Sequence, residues 1–465
     1  MSTFVGVQIG AISFVDEGVG DVLDVLRDKA GANAVVVASQ SFDRGVQGRQ
    51  IGYRPWPGHG PRELDDEHFG GSYVRQHPEY YGDTVLGPYR APDPVTAGFD
   101  ALGDVIPAAH ERDMRVYAFI LENTHSGLTK HVPNWPKVLQ QDAWGRADMY
   151  ACLRNPDYQN WWLSIVEDHV KSYPLDGVMW GSERNGPLDN LLSDGGFARN
   201  GNPYCFCAHC EAAAERAGID ARRAREGYLE LYRLVTGAAD AGATDTRFVR
   251  FLRLLMRYPE IVAWDQLWHE GYEAFQARLY GAVKFLAPDV QVGWHVWHHN
   301  SFSPVYRSQV DFGRMATYSD FVKPVLYNNC AGYRLHHYVS TVTARLFEGV
   351  SEQTVYDLVR GVLGYDEAMP FEELPARGLS PDYVARETRR TVAAVGDQAV
   401  VYPGLDVNVP TPEHVKQTTP DEIRRSLGAA LDGGAQGVIL SRKYSEMTHE
   451  NLAAVGAELT ARGLR

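Results

Sequence analysis

The sequence lacks any apolar run long enough to cross a membrane. A spanning helix needs about 20 consecutive apolar residues, and the apolar runs of this chain are all shorter. The N-terminal stretch, which begins Met-Ser-Thr-Phe, has no basic region followed by a long apolar one, so it does not resemble a secretory signal. We therefore expect no membrane partner and a cytoplasmic location.

The sequence also lacks an excess of positive charge. Its 45 Lys and Arg residues are outnumbered by 59 Asp and Glu residues, which gives a formal net charge of -14. Such a chain is poorly suited to binding phosphate backbones, so we expect no nucleic-acid partner. Hydrophobic residues make up 44% of the 465 residues, which is enough for a large ordered core.

Cysteine is scarce. There are five cysteines in the whole chain, and three of them fall within six residues. An odd and clustered set, in a chain without a secretory signal, argues against a disulfide framework and for a metal site or free thiols.

Several catalytic motifs are missing. No G-x-G-x-x-G follows the first apolar run, which argues against an open dinucleotide-binding sheet and an organic cofactor of that kind. No H-E-x-x-H occurs, and the first apolar run, VGVQIGAI, contains no histidine. These absences weaken, without removing, the alternative of a metal-dependent barrel enzyme.

What the sequence does contain is eight short apolar runs separated by segments of helical periodicity. Alternating strands and helices predict a parallel, buried sheet, and eight strands predict a single α/β (β/α)₈ TIM barrel over residues 1–465. The predicted strands are Phe4–Ile9, Ala34–Ala38, Arg115–Leu121, Gly177–Trp180, Val290–Trp297, Phe321–Tyr327, Ala399–Leu405 and Gly437–Leu440.

Three long insertions interrupt the predicted barrel. They cover residues 43–95, 184–271 and 329–398, after strands two, four and six. Each follows the C-terminal end of a strand, which is the face where barrel active sites lie. We expect these insertions to cover the pocket, and those after strands four and six could contact a second subunit in a homo-oligomer.

A carboxylate, Glu183, follows the fourth predicted strand in the stretch DGVMWGSERNG. At the mouth of a barrel, a partly dry pocket can raise the pKa of a Glu toward neutrality and make it a usable general acid. Glycoside cleavage needs such an acid and a second carboxylate. Asp406, at the end of strand seven, and Glu122, at the end of strand three, are the two candidates. The sequence does not choose between them.

Aromatic and polar residues cluster at the ends of the other strands. Sugars present apolar C–H faces ringed by hydroxyl groups, and aromatic rings with hydrogen-bonding neighbours are the matching surface. The predicted substrate-binding residues are Gln8, Trp180, His295, Trp297, His298, Asn300, Tyr327, Asn328 and Arg442.

The clustered cysteines form a C-x-C-x₂-C motif, Cys205, Cys207 and Cys210, at the predicted start of a helix. Thiolates at this spacing can bind one Zn²⁺, and Cys152, in MYACLRNPDY, could come close enough to join them. With Glu183, this region resembles the zinc-containing β-galactosidases of glycoside hydrolase family forty-two. The resemblance implies that Glu183 is the acid/base and that all four cysteines bind a structural zinc.

The resemblance covers about residues 145–220 and departs from the family at two positions. That family has Asn immediately before the acid/base, where this chain has Ser182, and a glutamate nucleophile on strand seven, where it has Asp406. The remaining chain is more similar to uncharacterised glycosidase-like barrels.

The leading prediction is therefore a glycosidase that cleaves a small glycoside or oligosaccharide, exo-acting, through two carboxylates. One alternative is a metal-dependent hydrolase or sugar isomerase with His295, His298 and His299 as ligands. The other is a sugar-binding barrel without catalytic activity, which would have no need of Glu183.

Overall fold

A closed ring of parallel strands forms the centre of the computed structural model, which describes residues 3–42, 44–49, 59, 70–122, 128, 131–193, 201–237 and 243–465. The strands are β1 Phe4–Gly10, β2 Ala34–Ser41, β3 Gly71–Ser72, β4 Arg115–Glu122, β5 Leu139–Gln141, β6 Ala147–Ala151, β7 Gly177–Ser182, β8 Gln291–Val296, β9 Phe321–Pro324, β10 Val400–Val401, β11 Gly404–Asp406 and β12 Gly437–Ser441.

The ring runs β1-β2-β4-β7-β8-β9, then β10 and β11, then β12, which pairs in parallel with β1. Here β10 and β11 are two halves of one strand. The first half pairs with β9 and the second with β12. The halves are separated at Pro403, which has no N–H to donate. Beyond it, the Leu326 amide donates to the Gly404 carbonyl at 2.9 Å, which closes the ring.

Helices follow the ring strands and pack around them. They are α1 Ala11–Glu17, α2 Val19–Val25, α3 Arg44–Gln47, α4 Val105–His110, α5 Pro156–Ser172, α6 Pro187–Ser193, α7 Ala208–Arg216, α8 Ala221–Thr236, α9 Arg247–Arg257, α10 Glu260–Leu286, α11 Pro304–Gln309, α12 Phe312–Ala316, α13 Asn328–Leu346, α14 Glu352–Leu363, α15 Leu374–Arg377, α16 Pro381–Val395, α17 Pro420–Asp432 and α18 His449–Ala461.

The (β/α)₈ prediction is confirmed, because each of the eight predicted strands overlaps a strand of the ring. The structure adds elements that periodicity did not predict. These are the short antiparallel strand β3, beside β2, and the β5–β6 hairpin that precedes α5.

Two apolar layers hold the barrel together. Inside the ring, aromatic residues fill the part near the N-terminal ends of the strands. There Phe4 stacks on Tyr402 with ring centroids 4.1 Å apart, and Phe321 packs beside them. The larger layer lies between the ring and the helices, and Trp162, Trp180 and other large side chains are buried there. Because these side chains fill the interior near the N-terminal ends of the strands, the C-terminal end is the side from which we expect a small molecule to enter the barrel.

The insertions differ in what the structure describes. After β7, the helices α6 to α9 precede α10, and after β9, the helices α13 to α16 precede β10. In the first insertion, residues 43, 50–58 and 60–69 lie outside the described residues, so the prediction of an ordered loop there is not addressed. Within the described ranges, no helix combines the length and the apolar character that crossing a bilayer requires.

Candidate active site

Glu183 lies at the C-terminal mouth of the barrel, directly after β7, and its side chain is 29% exposed. Side chains alternate along a strand, and Met179 belongs to the interior cluster. Glu183 therefore faces the inside of the barrel, whereas Ser182 and Arg184 on either side of it point the other way and are buried.

His295 is the first partner of Glu183. It lies on the neighbouring strand β8, where its Cα pairs in register with Gly181. Its Nε2 atom is 3.2 Å from Oε1 of Glu183. Burial and, to a smaller extent, nearby Lys323 lower the pKa of His295 to about 4, although Glu183 opposes the shift. The imidazole is therefore neutral near pH 7.

Lys323 lies behind His295 and is fully buried inside the barrel. Its Nζ atom is 2.9 Å from Oε1 of Gln8, 3.1 Å from Nδ1 of His295 and 3.4 Å from the Tyr327 hydroxyl. Burial lowers the pKa of Lys323 to about 7, and the Glu183 carboxylate opposes that shift. A titratable chain thus runs from Lys323 through His295 to Glu183.

The chain is anchored on the opposite side of the barrel. Gln8 on β1 accepts a hydrogen bond from the Ser441 hydroxyl on β12 at 2.5 Å as well as the one from Lys323. Gly404 on β11 makes room for the lysine, because a Cβ atom at that position would overlap Cε of Lys323. Five strands of the ring therefore fix the position of the Lys323 side chain.

Glu122 does not share the cavity with Glu183. It is fully buried at the end of β4, where its carboxylate accepts hydrogen bonds from Ser182 at 2.6 Å, from Arg184 at 3.0 Å and from the Tyr158 hydroxyl. Ser182 and Arg184 directly precede and follow Glu183 in the sequence, and their side chains point away from the barrel interior. The structure thus gives Glu122 a place in the layer between the barrel and the helices.

Asp406 lies at the end of β11, at the same end of the barrel as Glu183. Its carboxylate accepts hydrogen bonds from the backbone amides of Cys330 and Val409, at 3.3 and 3.0 Å, and from the Thr418 hydroxyl at 2.9 Å. Burial raises the pKa of Asp406, and these three hydrogen bonds oppose the shift.

Among the predicted substrate-binding residues, Gln8, His295 and Tyr327 converge around Lys323. His298 lies next to them, with its ring centroid 5.4 Å from that of Tyr327. Its Nδ1 is 2.9 Å from Arg334 and its Nε2 is 3.1 Å from the Tyr383 hydroxyl. Burial holds the pKa of His298 well below its usual range.

The two predicted tryptophan contacts are packed against other aromatic rings. Trp180 is buried between the barrel and the helices, against Trp162 and Trp294. Trp297 is buried and stacks on His299, with ring centroids 4.9 Å apart.

Three polar residues in this set are engaged by the protein itself. The Asn300 side chain accepts from Arg390, that of Asn328 accepts from Ser426, and Arg442 donates to Glu446. Trp180 lies on the outward side of β7, because it is one residue away from the inward-facing Met179 and side chains alternate along a strand.

The three histidines of the metal-enzyme alternative are not gathered around one point. His295 contacts Glu183, His298 contacts Arg334, and His299 contacts Asp189 at 2.8 Å. In the part of the chain that the structure describes, no group of three or more potential ligands includes them. The structure therefore does not bring these three histidines together as the ligands of one ion.

Cys152, Cys205, Cys207 and Cys210 do come together, and all four are buried. Their sulfur atoms all lie within 4.8 Å of one another, and that of Cys152 is 3.4 Å from Cys207 and 3.6 Å from Cys210. A tetrahedral zinc site, with Zn–S bonds of about 2.3 Å, has sulfur–sulfur edges of about 3.8 Å. The cluster can therefore hold a metal ion, as predicted.

The sequence interpretation missed Lys323, Arg334 and Ser441. Lys323 could have been found, because it is the one charged residue in the apolar run Phe321–Tyr327 and shares the alternation of Phe321 and Tyr327. Arg334 gave no comparable pattern, since it lies on helix α13 and reaches His298 only through the tertiary fold.

No protein-family model matches the chain, and no curated protein matches it in sequence. Several solved structures are similar to it in fold. The α-L-fucosidase isoenzyme 2 from Paenibacillus thiaminolyticus is 14% identical, with a TM-score of 0.52 over 100% of this chain and 50% of that chain. A β-galactosidase from the Antarctic haloarchaeon Halorubrum lacusprofundi is 14% identical, with a TM-score of 0.52 over 99% of this chain and 58% of that chain.

A β-galactosidase from the psychrophilic Marinomonas ef1 is 11% identical, with a TM-score of 0.51 over 99% of this chain and 60% of that chain. The chain thus spans between 50% and 60% of the length of these three proteins. The resemblance to glycosidase barrels is confirmed as a likeness of fold, which at these identities is what such a comparison establishes.

Proposed function

We propose that the protein is a glycoside hydrolase whose chemistry centres on Glu183. The observation that carries this proposal is the position of that carboxylate. It is partly exposed, faces the interior at the C-terminal mouth of a (β/α)₈ barrel and is held by His295 at 3.2 Å. Barrel enzymes place their reacting groups at this mouth, and the solved structures similar to this chain include glycosidases.

Asp406 is our candidate for the second carboxylate. Cleavage of a glycosidic bond needs one carboxyl group that protonates the leaving oxygen and one carboxylate that attacks the anomeric carbon or deprotonates a water. Asp406 lies at the same end of the barrel as Glu183, and burial raises its pKa. Glu122 is not part of this proposal, because Arg184, Ser182 and Tyr158 already bind its carboxylate on the outward side of the strands.

We propose a small glycoside or oligosaccharide as the substrate and exo-action as the mode of attack. The helices α6 to α9 and α13 to α16 follow two strands whose C-terminal ends form the mouth. Segments in that position leave little room for a long polymer. The Tyr327 ring, which contacts Lys323, and the adjacent His298 ring would supply the aromatic and hydrogen-bonding surface that a sugar ring requires.

We further propose that the four-cysteine cluster binds a structural zinc ion. The donor set is made of four thiols without a position open to substrate, which is typical of structural and not catalytic zinc. The cluster joins Cys152, just before α5, to the segment that begins α7. Its role would be to hold the insertion after β7 against the barrel.

The test is turnover of a broad panel of aryl glycosides by the wild type and by Glu183→Gln and Asp406→Asn variants. We expect each substitution to lower kcat/KM by about a hundredfold or more. Glu387→Gln is the matched control. It removes a buried charge on α16, where Glu387 pairs with Arg307, and should retain turnover if it folds. Unchanged turnover in Glu183→Gln would refute the proposal, and sugar binding without turnover would indicate a binding barrel.

A further inference from the structure

Lys323 has the surroundings of an ammonium ion. Three side chains lie within hydrogen-bond reach of its Nζ atom, namely Gln8, His295 and Tyr327, and each offers an acceptor atom. An ammonium group has three donors and no acceptor, so the protonated lysine satisfies all three contacts at once. A neutral amine would have only two hydrogens to share among them.

Below about pH 7, where Lys323 is charged, the lysine determines which nitrogen of His295 carries the proton. Because Nδ1 accepts from the ammonium group, the proton of the neutral imidazole must reside on Nε2. That atom is the one that faces Glu183, at 3.2 Å from Oε1. The imidazole therefore donates to Glu183, and a donated hydrogen bond stabilises the ionised form of a carboxyl group.

We propose that Lys323, acting through His295, holds Glu183 as a carboxylate in the free protein, so that Glu183 enters the reaction as its anionic group and not as its proton donor. The inference rests on the proposed function and assigns Glu183 the opposite role to the one that the family resemblance implies. In this arrangement Lys323 is a positioning residue, because it has no exposed atom that could touch a substrate.

Among the described groups on this side of the barrel, Asp406 opposes the effect of Lys323 when it is ionised, because it carries a like charge, whereas Arg334 acts in the same direction as Lys323. Arg334 is a further cation on this side of the barrel, where it lies over the Tyr327 ring at 5.7 Å. His298 is held neutral by burial, and burial also raises the pKa of the Tyr327 hydroxyl, so neither adds charge near pH 7. The partial exposure of Glu183 lets water stabilise its negative charge as well.

The pH dependence of kcat/KM in a Lys323→Met variant distinguishes the two roles of Glu183. Removing the cation raises the pKa of Glu183 by about one unit, since a nearby opposite charge lowers a carboxyl pKa by about that much or more. If Glu183 acts as the anion, the ascending limb of the profile moves to higher pH by about one unit. If it acts as the acid, the descending limb moves instead, which would overturn the inference.

Lys284→Met is the matched control for the loss of one positive charge. Lys284 pairs with Asp320 at 2.6 Å, and Asp320 precedes β9 at the opposite end of the barrel. Both limbs should stay in place in this variant. A Lys323→Met profile that also matches the wild type would overturn the inference, because the lysine would then have no influence on the reacting carboxylate.

The tautomer of His295 gives a second readout that needs no turnover. In ¹⁵N-histidine-labelled wild-type protein, the resonance lost in His295→Gln identifies this ring, and we expect its proton on Nε2 at about pH 6, where Lys323 is charged and His295 is neutral. A proton on Nδ1 would overturn the inference even if Lys323→Met fails to fold. Should Glu183→Gln keep full turnover, the proposed function fails, whereas the tautomer still reports whether Lys323 orients His295.

Discussion

Arg184 and Glu122 form a fully buried ion pair, with Nη1 3.0 Å from Oε1, on the side of the barrel wall opposite to Glu183. Although burial alone would lower the pKa of Arg184, the Glu122 carboxylate raises it. The arginine also donates to the Ala151 carbonyl at 2.9 Å, just before Cys152. Arg184, the residue after Glu183, thus connects the C-terminal end of β7 both to β4 and to the segment that leads into the cysteine cluster.

Replacing Arg184 with Met should destabilise the protein strongly. The substitution leaves the Glu122 carboxylate buried without its cation, and breaking one partner of a buried pair costs about 3 to 5 kcal/mol. The free energy of unfolding in urea measures this loss. The double variant Glu122→Leu with Arg184→Met removes both charges, so it should lose less than Arg184→Met alone, and an equal or greater loss would contradict the prediction.

The buried lysine should make stability depend on pH. Its folded pKa of about 7 lies below the ordinary value of 10.5, so between these values the unfolded chain binds more protons than the folded one. The free energy of unfolding therefore rises with pH across this window, by about 3 to 5 kcal/mol from this residue. Below the window the cost of burying the charge is fully present.

Urea unfolding of the wild type and Lys323→Met at several pH values isolates this contribution. The free energy of unfolding of the wild type, relative to that of Lys323→Met, should increase as the pH rises from about 7 to about 10. Lys284→Met should show no comparable slope. A constant difference for Lys323→Met would mean that the lysine keeps an ordinary pKa in the folded state.

The cysteine cluster should contain one zinc ion per chain. Elemental analysis of the purified protein checks the stoichiometry, and Cys210→Ser should abolish it. Removing the ion with a chelator should lower the midpoint of thermal unfolding by about 5 °C, because a bound metal stabilises the folded state.

Cys330→Ser is the control for the zinc prediction. Cys330 is buried near Tyr327 and Val409, away from the four clustered thiols, so zinc content should stay unchanged. A full zinc complement in Cys210→Ser would show that the metal binds elsewhere.

Replacing Gly404 with Ala should disturb the site more than the fold. The new Cβ atom would overlap Cε of Lys323, which is the flexible end of a side chain, so the lysine must shift. We expect a change in the pH profile in the same direction as for Lys323→Met, with a loss of stability of about 1 to 3 kcal/mol. An unshifted profile in a folded Gly404→Ala variant would contradict the packing described here.

Periodicity predicted the barrel well, because each ring strand is a short apolar run bounded by turn residues. The run from Ala399 to Leu405 was the hardest case. The structure divides it at Pro403 into β10 and β11, which pair with different neighbours. The β5–β6 hairpin was missed because it lies in the connection between β4 and α5 and its residues, such as Gln141 and Asp148, carry no alternating apolar pattern.

The site was predicted less completely, for a physical reason. Parallel strands of a barrel are buried on both faces, so an apolar run does not reveal which residues face inward. Glu122 and Glu183 both follow apolar strands, yet they point to opposite sides of the wall. The direction of each side chain becomes clear only from its partner in the folded structure. That partner is Arg184 for Glu122 and His295 for Glu183.

The strand β7, which is followed by Glu183, lies between the clustered cysteines in the sequence. Cys152 precedes α5 and Cys205 follows α6, so β7 and Glu183 lie within the segment whose ends the thiols bring together. A metal bound there would link the two ends of this segment in the folded state and so oppose its local opening. Hydrogen exchange of the β7 amides should then accelerate when the metal is removed, reporting local opening around the reacting carboxylate before the barrel as a whole unfolds.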